Sequence, residues 1–125
     1  MSGSKTSILY VDDEEMNLQL FDMLLNSNFR VYKANSVDNA FEVLDEHEDI
    51  KVVFTDWRMP GKDGLQFAKE AQQKFDNRQF IMISAFMRNN EIDEALSDGL
   101  LASYLPKPFD RQKIISEVDK LVSAN

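Results

Sequence analysis

Five short apolar runs punctuate the chain: Ile8–Val11, Val31–Ala34, Val52–Thr55, Phe80–Ile83 and Ser103–Leu105. ILYV, VVF and FIMI are continuous rather than alternating, the mark of strands covered on both faces, as in parallel sheets. VYKA is more mixed and suits an edge strand. Between the runs the apolar period changes to that of a helix. Val37, Ala40, Phe41 and Leu44 fall at i, i+3, i+4 and i+7, one face of a helix. Ser36 stands before them as a natural N-cap. Ile114, Ile115, Val118, Leu121 and Val122 repeat the spacing strongly behind Asp110, another N-cap. Ile92, Ala95 and Leu96 repeat it weakly, and Gly99 follows as a helix stop. The stretch Met16–Leu25 is dense in Leu, Met and Phe, and Leu65, Ala68, Ala71 and Phe75 complete the set.

Strand and helix therefore alternate five times. Short connections between them argue for a doubly wound α/β fold, a five-stranded parallel sheet with helices on both faces. With 125 residues and no linker or repeat, the expectation is one domain over residues 6–123, a short polar lead over 1–5 and no effector domain in this chain.

Composition narrows the chemistry. There is no cysteine, which excludes disulfides and thiolate metal sites and suits a reducing cytoplasm. Lys and Arg number 14 against 22 Asp and Glu, a formal net charge of -8. Such a chain makes a poor direct partner for nucleic acid or an anionic membrane, which demand a basic footprint. Solubility is one reading of the acidity. A cluster of acids holding a cation is a sharper one.

In an open parallel sheet, ligands bind beyond the carboxyl ends of the strands, where strand order reverses. Strand one ends in Asp12 and Asp13, with Glu14 and Glu15 behind; strand three ends in Asp56, strand four in Ser84, and strand five just before Lys107. Strand two ends in nothing charged. Under the order 2-1-3-4-5, strands one and three are neighbours and Asp12, Asp13 and Asp56 converge. Three carboxylates that close repel unless a cation intervenes. Mg²⁺ is the natural one, with oxygen ligands from carboxylates, water and phosphate. Ser84 and Lys107 offer a hydroxyl and an ammonium suited to phosphoryl oxygens. One carboxylate is then left to accept a phosphoryl group.

Four motifs in order carry a family resemblance: VDDEE at Val11–Glu15, DWRMPGKDG at Asp56–Gly64, SAF at Ser84–Phe86 and YLPKPF at Tyr104–Phe109. Together they resemble the receiver domain of response regulators in two-component signalling, the CheY-like superfamily. The resemblance implies a flavodoxin-like (βα)5 fold. It makes Asp56 the phosphoacceptor, Asp12 and Asp13 the pair that positions Mg²⁺, and the backbone carbonyl of Arg58 a further ligand. Lys107 is then the lysine that pairs with the phosphoryl group, Ser84 the switch hydroxyl and Tyr104 the switch aromatic. Pro108 falls where the family has a cis proline. Implied partners are a histidine kinase or histidine phosphotransfer protein and a downstream protein or effector domain. A phosphorylation-dependent homodimer and a switching surface formed by the fourth helix, the fifth strand and the fifth helix belong to the same set of expectations.

Blander readings stand beside these. A lone Asp-Asp pair is usually a solvated turn, and Lys107 alone would be a surface lysine. Trp57 reads as a partly exposed loop residue, His47 as a solvated histidine at a polar helix end, and the methionines at 16, 23, 59, 82 and 87 as packing. An aspartate-dependent phosphatase needs a second Asp two residues after the nucleophile, where this chain has Arg58. A flavodoxin-like cofactor carrier needs a phosphate loop after strand one, where Glu14 and Glu15 would repel it. A receiver-like binding module that is never phosphorylated remains the alternative.

Overall fold

In the computed structural model, which describes residues 5–123, strands and helices alternate without exception. The order is β1 (Thr6–Val11), α1 (Glu15–Leu25), β2 (Phe29–Ala34), α2 (Val37–Glu46) and β3 (Ile50–Thr55), then α3 (Gly64–Lys74), β4 (Gln79–Ser84), α4 (Asn90–Ser97), β5 (Ser103–Pro106) and α5 (Arg111–Ser123). The strands form one parallel sheet in the order β2-β1-β3-β4-β5. The expected flavodoxin-like fold is the one observed. Of the expected polar lead over residues 1–5, residues 1–4 lie outside the described residues. No helix among those described is long and apolar enough to cross a membrane.

Period-2 alternation along the strands builds two cores. Ile8, Tyr10, Val52, Phe54, Ile81, Ile83 and Leu105 face α1 and α5, where they meet Leu18, Phe21, Ile114 and Val118. Leu9, Val11, Val53 and Met82 face the other way, onto Ala40, Leu44, Phe67, Ala68, Ile92 and Ala95 of α2, α3 and α4. Covering both faces explains why the central strands read as unbroken apolar runs. Edge strand β2 is mixed because Arg30 and Lys33 stay exposed. The other edge, β5, is the shortest strand and ends in Pro106.

Local chemistry sets the helix starts. The Ser36 side chain accepts from the Asn39 N–H, and Asp110 does the same for Lys113, as expected of N-caps. At α3 a capping box joins Asp63 and Gln66, each side chain bonding the other's backbone N–H at 2.9 Å. Gly99 follows α4 with φ +85°, a left-handed stop that suits glycine. Phe75, the last apolar position of the α3 period, is the C-cap with extended backbone, yet it still packs against the core on that side.

Three expectations are corrected here. Trp57 is buried, at 1% exposure. The alternation of β3 continues past the strand's end, so Trp57 falls on the same face as Val53 and enters the α2–α4 core. Met82 and Met59 do pack against that core, but Met16, Met23 and Met87 are exposed at 82%, 75% and 88%. His47 is not simply solvated: it is half-buried, with its ring 4.3 Å from that of Tyr32.

Candidate functional site

The site is assembled from strand ends. The Asp12 N–H donates to the Ala34 carbonyl at 3.1 Å, and the Asp56 N–H to the Val11 carbonyl at 2.9 Å, so the ladder holds both aspartates one residue beyond their strands. The Lys107 N–H donates to the Ser84 carbonyl at 3.0 Å, fixing the end of β5 to the end of β4. Carboxylate oxygens of Asp12, Asp13 and Asp56, one from each, all lie within 4.8 Å of one another. Asp12 is fully buried, Asp56 nearly so at 8%, and Asp13 is exposed. Lys107 reaches in from the far side, its Nζ 3.2 Å from Asp12 Oδ2 and 3.3 Å from Asp56 Oδ2.

This cluster is short of positive charge. Burial raises the pKa of Asp56; Lys107 opposes that, and the Asp12 carboxylate adds to it, leaving the carboxyl above its ordinary value. Burial alone would lower the Lys107 pKa, but Asp56 and Asp12 outweigh it and hold the ammonium above the usual lysine value. A second cation would relieve the remaining repulsion. An all-oxygen donor set open to solvent on the Asp13 side fits a hard ion such as Mg²⁺.

Backbone geometry holds the loop after Asp56 close. The Gly64 N–H donates to the Trp57 carbonyl at 2.7 Å. A Cβ at Gly64 would collide with the Asp56 backbone carbonyl and press on Met82, so only glycine lets the start of α3 approach this strand end. The Asp56 carboxylate itself accepts from the Trp57 N–H at 2.8 Å, and the Thr55 hydroxyl donates to the Asp56 carbonyl at 2.8 Å.

The other expected site residues line the rim. Arg58 is exposed, and its guanidinium stacks 4.1 Å from the Trp57 ring centroid and 5.7 Å from that of Phe86. Ser84 is buried at the end of β4, where its Oγ accepts from the Phe86 N–H at 3.0 Å. Tyr104 is half-buried, edge-on to Trp57 at 6.2 Å, and its hydroxyl donates to the Phe86 carbonyl. Ser84 and Tyr104 thus meet on the backbone of one residue, Phe86. The Lys107–Pro108 bond is cis, as expected.

Two residues at the site were missed in the sequence. Asn17 donates from Nδ2 to Asp12 Oδ2 at 3.1 Å, and the Tyr10 hydroxyl donates to that same oxygen at 2.5 Å. Period-2 alternation was the available signal for Tyr10, since it puts residues 10 and 12 on one face.

Comparison with known proteins agrees with this geometry. The profile of the response regulator receiver domain matches residues 8–119. A chemotaxis protein CheY homologue of Campylobacter jejuni is 29% identical over 119 residues, covering 92% of this chain and 91% of that protein. The hydrogenase transcriptional regulatory protein HoxA of Cupriavidus necator is 29% identical over 99% of this chain, which spans only 26% of HoxA. Among solved structures, CheY from the CheX–CheY–BeF₃–Mg²⁺ complex of Borrelia burgdorferi superposes with a TM-score of 0.86 at 25% identity, covering 96% of this chain and 91% of that one. Strand order, acid cluster and profile coincide: the chain belongs to the response regulator receiver domain family.

Proposed function

We propose that this domain accepts a phosphoryl group on Asp56 from a phosphohistidine donor, a histidine kinase or histidine phosphotransfer protein, and passes the signal on through a change of surface. The observation that carries this reading is the bridging of Asp12 and Asp56 by Lys107, at 3.2 and 3.3 Å, inside a cluster of three carboxylates. Asp12, Asp13, Asp56 and the backbone carbonyl of Arg58 would hold Mg²⁺, which when bound supplies charge to neutralise phosphoryl oxygens.

In the transfer, an Asp56 carboxylate oxygen attacks phosphorus, the nitrogen–phosphorus bond of the donor breaks, and the imidazole leaves with the electron pair. Lys107, already paired to Asp56, follows the negative charge onto the phosphoryl oxygens. The exposed apolar stripe Met16, Leu20 and Met23, on the helix that starts beside the acid pair, suits the side of a helical donor. The domain assists its own phosphorylation and dephosphorylation and turns over no separate substrate.

The output reading rests on Phe86. Phosphorylation brings close to two negative charges and strong acceptor oxygens. The Ser84 hydroxyl has one proton to donate, and turning it toward the phosphoryl group releases or drags the Phe86 N–H. Tyr104 holds the carbonyl of that same residue, so it must follow. Helix α4 buries only Ile92 and Ala95 and shifts at low cost. The result is a population shift of the α4–β5–α5 surface, which a downstream partner, an effector domain or a second copy would read.

The direct test is mass spectrometry after incubation with acetyl phosphate and Mg²⁺. The expected outcome is a gain of one phosphoryl group that is absent in Asp56→Asn. A parent protein that gains nothing from acetyl phosphate or from a phosphohistidine donor would leave the unphosphorylated binding module as the reading.

A further inference from the structure

One oxygen in the acid pocket is heavily used. Asp12 Oδ2 accepts from the Tyr10 hydroxyl at 2.5 Å, from Asn17 Nδ2 at 3.1 Å and from Lys107 Nζ at 3.2 Å. Asp12 Oδ1 accepts from the Glu14 N–H at 2.9 Å. Of the three donors on Oδ2, only Tyr10 is wholly buried, at 0% exposure. Its ring has no freedom to swing away. Phe21 stacks on it with centroids 4.4 Å apart, and Phe109 meets it edge-on at 5.4 Å. Phe109 lies two residues beyond Lys107, so the ring that backs Tyr10 belongs to the loop that carries the lysine.

These three donors differ in what they must do. Lys107 bridges to Asp56, and under the phosphoacceptor reading it leaves Asp12 for the phosphoryl group. Asn17 is only half-buried, and it also donates to Glu14 Oε1 at 2.9 Å. A buried carboxylate that lost its donors would carry the full desolvation penalty and would turn in search of others. We infer that Tyr10 is a positioning residue of the acid pocket, whose hydroxyl fixes the Asp12 carboxylate for the cation and keeps it satisfied when Lys107 moves away. This rests on the reading of Asp12, Asp13 and Asp56 as a Mg²⁺ site and adds to it a residue that no motif contains. Donors behind a metal-ligating carboxylate are worth about 10–100-fold in affinity when removed. Because Mg²⁺ shares three carboxylates here, the lower end of that range applies.

The test is Tyr10→Phe, which keeps the ring between Phe21 and Phe109 and deletes one oxygen. Mg²⁺ is titrated into metal-stripped protein and followed by Trp57 fluorescence and by amide shifts of residues 12–17. The expected result is binding about tenfold weaker than in the parent, with unchanged amide shifts in β4 and α4. Affinity within twofold of the parent would overturn the inference, while a parent site abolished by Asp13→Asn would leave the Mg²⁺ reading standing. A parent that binds no Mg²⁺ would overturn both. Should Tyr10→Phe not fold, the parent alone decides. The hydroxyl proton of Tyr10, buried and hydrogen-bonded, is expected as a slowly exchanging downfield NMR signal that moves on Mg²⁺ addition, and a signal that stays fixed through saturation overturns the inference.

Discussion

Asp56→Asn should make the metal-free domain more stable at neutral pH. The Asp56 carboxylate is 3.3 Å from Lys107 Nζ and within 4.8 Å of an Asp12 oxygen. At an effective dielectric constant near 20, the attraction is about 5 kcal/mol, and the repulsion from Asp12 alone, at the outer limit of that distance, is already about 3.5 kcal/mol. Any surplus is therefore at most about 1.5 kcal/mol, before the Asp13 carboxylate reduces it, and is smaller than the several kcal/mol that burying an ionised carboxylate costs. Neutralising the side chain removes all three contributions, and Lys107 keeps Asp12 as its partner. A net gain of about 1–3 kcal/mol follows, or about 4 °C in Tm per kcal/mol for a domain of this size. Thermal unfolding by circular dichroism in EDTA measures it. The pH dependence has a definite sign. The folded pKa of Asp56 lies above its unfolded value of about 3.9, so the folded state binds the proton more tightly. The penalty is absent below that unfolded value and grows as pH rises through the folded pKa. The advantage of Asp56→Asn should therefore vanish toward pH 4. Saturating Mg²⁺ should shrink it at pH 7, because only the parent keeps the full ligand set. A parent as stable as the variant at pH 7 in EDTA, or a gap that does not narrow in acid, would refute the reasoning.

Two further outcomes follow from the geometry. Gly64→Ala drives a Cβ into the Asp56 carbonyl and should cost about 2 kcal/mol or more in urea unfolding; a loss under 0.5 kcal/mol would mean that the start of α3 is not held against the strand end. Ser84→Ala should still accept a phosphoryl group at Asp56, yet lose most of the amide-shift response of residues 88–104 to beryllofluoride; a response equal to the parent's would show that the signal does not pass through Ser84 and Phe86.

The sheet was legible because both of its faces are covered, so β1, β3 and β4 announce themselves as unbroken apolar runs. The site was legible for a related reason. Charged and hydroxyl residues placed directly after such runs have few structural purposes, and Asp12, Asp56, Ser84 and Lys107 all stand there. What escaped lay in side-chain direction. Trp57 follows an acid at a strand end and looks like loop, yet alternation carries it inward against Tyr104. The exposed Met16 and Met23 sit in a helix so rich in apolar residues that its outer face could not be told from its inner one. Tyr10 reads as one more core aromatic because nothing in ILYV marks its hydroxyl as aimed at Asp12.

The short edge strand β5 bears on how a partner can be recruited. An open sheet edge is a template on which a foreign strand can add by main-chain pairing, a mode that reads little sequence and invites runaway assembly. Here the edge beside Tyr104 spans only Ser103–Pro106, and its last residue has no N–H to offer. The opposite edge, β2, displays Arg30 and Lys33, charges that discourage a zipper of like chains. Under the proposed function, recognition at the α4–β5–α5 face would therefore go through side chains, so exchanging a few surface residues there would redirect the domain to a new listener while leaving the acid cluster untouched, and without opening a route to fibres.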